Sequence, residues 1–152
     1  MARRFLSQLP GSFQLGNNER RTVRNDLIAT PGTPGVNITG NNARLVVSRD
    51  GSISAPDEGN SAVLSSGDNV TINNRGAIAG ALNGISSTGN NFSLSNRRNA
   101  VISSDSRAVD LSDGDNLSIR NSGDILGTGN QRNGTLYVDG TVDQLSLVNT
   151  RS

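Results

Sequence analysis

The 152-residue chain has no cysteine, histidine, tryptophan or lysine, and all 14 of its positive charges are arginine. Without Cys or His there is no thiol nucleophile, no imidazole base and no thiolate or imidazole ligand for zinc. A Ser-His-Asp constellation is excluded on the same ground. What remains for acid–base chemistry is carboxylates, hydroxyls and the single Tyr137. A disulfide framework is excluded too, so cysteine usage leaves the redox compartment undetermined. Long apolar runs are also missing: no stretch approaches the ~20 residues needed to cross a bilayer, and membrane insertion is not expected. The N-terminal Met1-Ala-Arg-Arg-Phe-Leu-Ser-Gln-Leu-Pro10 has the basic start of a secretory signal, but its apolar run breaks at Ser7 and Gln8.

Charge is nearly balanced, at +1 overall, and Arg alternates with Asp along the length instead of segregating. That pattern describes a solvated surface and speaks against nucleic acid as a partner. Leu, Ile, Val and Phe total 37 residues, lean for a globular chain but above the disordered range. A length of 152 residues suits one small core.

The apolar residues keep a register. Gly67-Asp-Asn-Val-Thr-Ile-Asn-Asn74, Gly89-Asn-Asn-Phe-Ser-Leu-Ser-Asn96 and Gly114-Asp-Asn-Leu-Ser-Ile-Arg-Asn121 are copies of one motif. Looser copies begin at Gly40 and Gly140, and Gly16-Asn-Asn18 opens the series. The spacings of these glycines, 24, 27, 22, 25 and 26 residues, match a coil of three short strands and three turns. Within each copy the apolar period is two. Val70, Ile72, Phe92, Leu94, Leu117, Ile119, Leu145 and Leu147 are therefore expected to point inward and to stack coil upon coil. Recurrent Gly, Asn, Asp and Ser disfavour helix.

A second strand is expected after the polar turns, as in Asn74-Arg-Gly76-Ala-Ile78, Asn121-Ser-Gly123-Asp-Ile125 and Arg49-Asp-Gly51-Ser-Ile53, with Ala100-Val-Ile102 in the same place. The corner glycines are expected to supply positive φ. A third strand precedes each marker glycine, at Val36-Asn-Ile38, Ala62-Val-Leu64, Gly84-Ile85, Ala108-Val-Asp-Leu111 and Thr135-Leu-Tyr-Val138. The fold class expected is all-β, a right-handed single-stranded parallel β-helix of about six coils over residues 16–152. Residues 1–15 are read as an N-terminal cap carrying Phe5, Leu6, Leu9, Phe13 and Leu15.

Asn occupies 20 positions. Asn74, Asn96, Asn121 and Asn149 each lie two residues past an inward apolar residue, so parity turns them inward, where amides can hydrogen-bond from coil to coil as a ladder. Turn preference is the plainer account of Asn, but it does not explain four equal offsets. A second column, Asn42, Asn69, Asn91, Asn116 and Gln144, is expected to cap the turn on the outside.

At these residues the chain resembles the repetitive passenger regions of bacterial autotransporters and related surface proteins, whose coils repeat Asn-x-Gly-x-Ile; Asn74 to Ile78 and Asn121 to Ile125 match fully. Phage tailspikes use similar coils at fold level. The resemblance implies an exported, secreted or cell-surface protein, acting as a structural or adhesive module, and the tailspike likeness implies a homotrimer. A glycan is a candidate partner.

The carboxylates offer a competing reading. Asp110, Asp113 and Asp115 are the candidates for a carbohydrate-cleaving or carbohydrate-binding groove, but Asp113-Gly-Asp115 reads as a turn. Asp68, Asn90, Asp115 and Asp143 form a thin column that offers calcium only a weak site, and no cofactor or metal is expected. The outward stripe Thr71, Ser93, Ser118 and Ser146 lacks the regular Thr arrays of ice-binding faces, and its small side chains allow another copy to approach. Arg75, Arg97 and Arg98 are read as solvated. The loops at 55–60 and 127–134 are the expected recognition surface. Far-UV circular dichroism of the purified chain should be dominated by β signal; a mainly α-helical spectrum contradicts the whole reading.

Overall fold

The computed structural model describes residues 11–129, 135–139 and 142–150. Within them lie seventeen β-strands and no helix. The first side of the solenoid stacks β1 (Phe13–Leu15), β4 (Val36–Ile38), β7 (Val63–Ser65), β10 (Asn83–Ser87), β13 (Arg107–Leu111) and β16 (Leu136–Val138). The second stacks β2 (Arg20–Val23), β5 (Arg44–Val47), β8 (Thr71–Asn74), β11 (Ser93–Asn96), β14 (Leu117–Asn121) and β17 (Leu145–Asn149). The third stacks β3 (Asp26–Ile28), β6 (Ser52–Ala55), β9 (Ala77–Gly80), β12 (Val101–Ser104) and β15 (Asp124–Gly127). Every third strand is a hydrogen-bonded parallel neighbour, which defines a three-sided β-solenoid. It comprises five complete coils and two sides of a sixth, against the six expected.

The core follows from strand parity. On the second side Leu45, Ile72, Leu94 and Ile119 are register partners and fully buried or nearly so. On the third side Leu27, Ile53, Ile78 and Ile102 align in the same manner. On the first side Val36, Val63, Ile85 and Val109 do. Val70, Phe92 and Leu117, at or just before the starts of their strands, are also buried. Like side chains thus sit on like at the ~4.8 Å strand spacing. Each buried aliphatic residue contributes on the order of 1.5–3 kcal/mol.

Three expectations need correction. Leu145 and Leu147 hold the inward register, pairing with Leu117 and Ile119, yet they are 41% and 51% exposed. The reason is that β17 is an edge strand, and no described strand lies beyond it. Phe13 and Leu15 do not cap the solenoid: they belong to β1 and pair with Val36 and Ile38, so the first coil begins before residue 16. Phe5, Leu6 and Leu9 lie outside the described residues.

The corner glycines, finally, work by space and not by φ. Gly51, Gly76 and Gly123 are not in the left-handed region. A Cβ at Gly76 would overlap the carbonyl oxygens of Gly51 and Ser48, and one at Gly123 those of Ala100 and Arg97. Backbone of adjacent coils is pressed together there too closely for any side chain. Gly76→Ala should therefore lower stability by about 2–4 kcal/mol in urea titration. Gly59→Ala should lower it by about 1 kcal/mol, since Gly59 has φ +84° and nothing near its Cβ position. Equal losses at the two sites would contradict the packing account.

Candidate functional site

The polar residues that the repeat singles out form three columns, each with a different task. The first is the internal ladder. Asn74 and Asn96 are fully buried. Asn74 Nδ2 donates to Asn96 Oδ1 at 2.9 Å, Asn96 Nδ2 to Asn121 Oδ1 at 2.9 Å, and Asn121 Nδ2 to Asn149 Oδ1 at 3.2 Å. Each buried amide also reaches across the corner: Asn74 Nδ2 donates to the Val101 carbonyl and Asn96 Nδ2 to the Asp124 carbonyl, both at 3.0 Å. Val101 and Asp124 are themselves register partners, so the same bond recurs one coil later. In the first two coils Val23 and Val47 hold the ladder position instead.

The other two columns lie side by side at the Gly-Asx-Asn corner. The Asn17 side chain accepts the Asn41 N–H at 2.8 Å, Asn41 that of Asp68 at 2.9 Å, and Asp68 that of Asn90 at 2.9 Å. Asn90 continues the series with the Asp115 N–H at 3.0 Å, and Asp115 with the Asp143 N–H at 3.4 Å. Their sequence separations, 24, 27, 22, 25 and 28 residues, are the coil lengths. The next residue in each coil, Asn18, Asn42, Asn69, Asn91 and Asn116, has φ between 54° and 58°. This column thus exists because Asn tolerates the left-handed conformation.

The marker glycines complete the corner. A Cβ at Gly67 or Gly89 would strike the carbonyl of the marker glycine one coil earlier. The Gly-Asx-Asn signature therefore has a separate cause for each letter: contact, hydrogen-bond acceptor and backbone twist.

Several of the carboxylates have structural partners or turn positions of this kind. Asp68 and Asp115 serve the corner column. Asp26 accepts from the Ser52 hydroxyl at 2.7 Å, and Asp57 from the Gly32 N–H at 3.1 Å. Asp113 sits in the left-handed turn conformation, φ 60°. Among the described residues no three acidic side chains gather as a metal site requires. Arg75, Arg97 and Arg98 are exposed. Thr71, Ser93, Ser118 and Ser146 do form one outward stripe in register.

One cluster was not anticipated. Arg107 Nη1 lies 2.9 Å from Asp110 Oδ2, and its guanidinium carbon is 3.6 Å from the centre of the Tyr137 ring. Asp110 and Tyr137 are register partners, so the cluster fastens the sixth coil to the fifth. Such a cation–π contact is worth about 0.5–2 kcal/mol. Strict alternation hides it: Ala108 and Val109 are both buried, which places Arg107 and Asp110 on one face three residues apart. Two inward serines were also missed. Ser65 and Ser87 are stacked partners in the core, and among the described residues neither hydroxyl has a hydrogen-bond partner.

The third side has an unusual outer face. Ser52, Ala77 and Val101 run in one column, and Ser54, Ala79 and Ser103 in the next. Ile28 and Leu126 lie at the two ends of that second column, 59% and 51% exposed.

Taken together, these contacts define a parallel β-solenoid whose corners are held by side-chain-to-backbone hydrogen bonds between coils. No family model matches the chain, and comparison with curated proteins and with solved structures finds no match either.

Asn96→Ala should destabilise by about 2–5 kcal/mol, because it strands the Asn74 donor and two acceptors in the core. Ser87→Ala should be neutral or stabilising, since it removes a buried hydroxyl without a partner. Denaturant titration of the two variants checks the contrast, and a more harmful Ser87→Ala would contradict the ladder as described.

Proposed function

We propose that this solenoid is a non-catalytic structural or adhesive module of a bacterial surface, secreted or phage-like assembly, and that it self-associates. The observation that carries this reading is the engagement of its polar side chains. Asp68, Asp115, Asn17, Asn41 and Asn90 accept backbone N–H groups from the next coil. Carboxylates held in that way stiffen a rod and are poorly placed to trade protons with a substrate. Repeated short-range bonds between neighbours also let such a rod extend without a large single core.

Self-association is supported by the outer face of the third side. Its middle carries only Ser, Ala and Val; one column ends in exposed Ile28 and Leu126 and the other in Asp26 and Asp124. A flat face of small side chains lets a second backbone come close. Three copies is the number that the tailspike resemblance implies.

Light scattering on a size-exclusion column should give a solution mass at least twice the 15.8 kDa of one chain, and a strict monomer at high micromolar concentration removes the self-association. Incubation with acidic polysaccharides should release no reducing ends. Release that disappears in Asp113→Asn or Asp115→Asn would replace this reading with a carbohydrate-cleaving one.

A further inference from the structure

The two ends of the second side are built from opposite chemistry. Its inner columns hold Ala43, Val70, Phe92 and Leu117, and then Leu45, Ile72, Leu94 and Ile119. In the first coil the same two columns hold Glu19 and Arg21, both exposed. Glu19 Oε2 accepts the Gly16 N–H at 2.9 Å. One coil later the equivalent Gly40 N–H donates to the Leu15 carbonyl of the coil before it. Glu19 thus takes the place of a preceding coil. A strand added here would bury a carboxylate and a guanidinium against apolar side chains, an arrangement opposed by the cost of desolvating both ions. Inward charge of this kind is a device by which sheets block their edges.

At the other end β17 continues the same columns with exposed Leu145 and Leu147, in a five-residue edge strand free of charge. Asn149 Oδ1 already accepts from Asn121 Nδ2, so its own Nδ2 is the donor it offers onward. Asp143, exposed at the preceding corner, donates its N–H to Asp115 Oδ1, and its own carboxylate stands next in the Asx column as the acceptor offered onward. Residues 143 to 149 are consequently self-complementary about Ser146: an acceptor, two leucines and a donor.

We propose that β17 is the contact strand for a second copy of this chain, bound tail to tail about a twofold axis through Ser146. Antiparallel pairing in that register sets Leu145 of each copy beside Leu147 of the other. It brings the Asp143 carboxylate to the Asn149 amide and Ser146 to its own symmetry mate. Isologous contacts of this type close on themselves. Head-to-tail stacking is disfavoured, because Glu19 and Arg21 would then face Leu145 and Leu147. The proposal rests on the self-association proposed above and adds to it a second contact, at the β17 edge, distinct from the outer face of the third side.

The absence of cysteine makes the test direct. Ser146→Cys places one thiol per copy at the position that the axis pairs with itself. Facing Cα atoms of antiparallel strands are ~4.5–5.5 Å apart, within disulfide reach. Under mild oxidation Ser146→Cys should become a covalent dimer at least ~10-fold faster than Val148→Cys, which faces Gln144 in this register. Leu147→Lys, at a half-exposed position, should halve the solution mass while leaving the circular dichroism unchanged. Equal cross-linking rates, or an oligomeric mass untouched by Leu147→Lys, overturn the tail-to-tail contact and leave association by another face standing. A monomeric wild type removes both.

Discussion

Each coil of a parallel solenoid must keep the ~4.8 Å ladder spacing around its entire perimeter, and the corners are where this is hardest to satisfy. Along a strand the backbone pairs with itself. At a corner the chain turns, its N–H groups rotate out of the ladder, and any side chain on the inside of the bend collides with the coil below. The corner before the second side meets these demands with three consecutive residues. Glycine leaves room for the neighbouring carbonyl, Asn or Asp accepts the stray N–H of the next coil, and Asn adopts the left-handed turn. Remove the close approach and the apolar columns lose their spacing too, since one backbone carries both.

The corner after the second side faces the same demand and answers it differently. Here the side chain turns inward. Asn74 and Asn96 gather the next amide and a carbonyl from the adjoining side, all within the core. Val23 and Val47 fill the same position in the first coils by volume alone. The difference is one of specificity: a valine column tolerates slippage between coils, whereas a hydrogen-bonded amide column is satisfied in one register only. The third corner varies most in length, although there too a carboxylate, Asp57, accepts the Gly32 N–H of the neighbouring coil. It shrinks to residues 81–82 and 105–106 and grows to 29–35 and 56–62, and it absorbs most of the variation in coil length.

This division shapes what the molecule can offer a partner. Two corners and the interior are committed to holding the stack together, and so are Asp26, Asp57, Asp68 and Asp115. Among the described residues, what is left uncommitted is the outer faces, the variable third corner and the exposed edge of β17.

The sequence by itself determined the architecture. A period near 25 residues, with a two-residue apolar alternation after each Gly-Asx-Asn, placed the strands of the second side and the buried residues Ile72, Leu94 and Ile119. Equal offsets of Asn74, Asn96 and Asn121 from those residues placed the ladder, because strand parity is a local property. Other features depended on what a neighbouring coil supplies. Whether Gly76 is required for φ or for space is decided by the carbonyls of Gly51 and Ser48, 25 and more residues away. Whether Leu145 and Leu147 are buried is decided by what lies beyond β17, and their pattern is indistinguishable from that of Leu117 and Ile119. The Arg107–Asp110–Tyr137 contact needed a break in alternation that no periodicity reveals, and the capping role of Glu19 needed an end. Periodicity is written in the chain, but the meaning of a residue at a corner or an edge is set across coils, by backbone it does not adjoin.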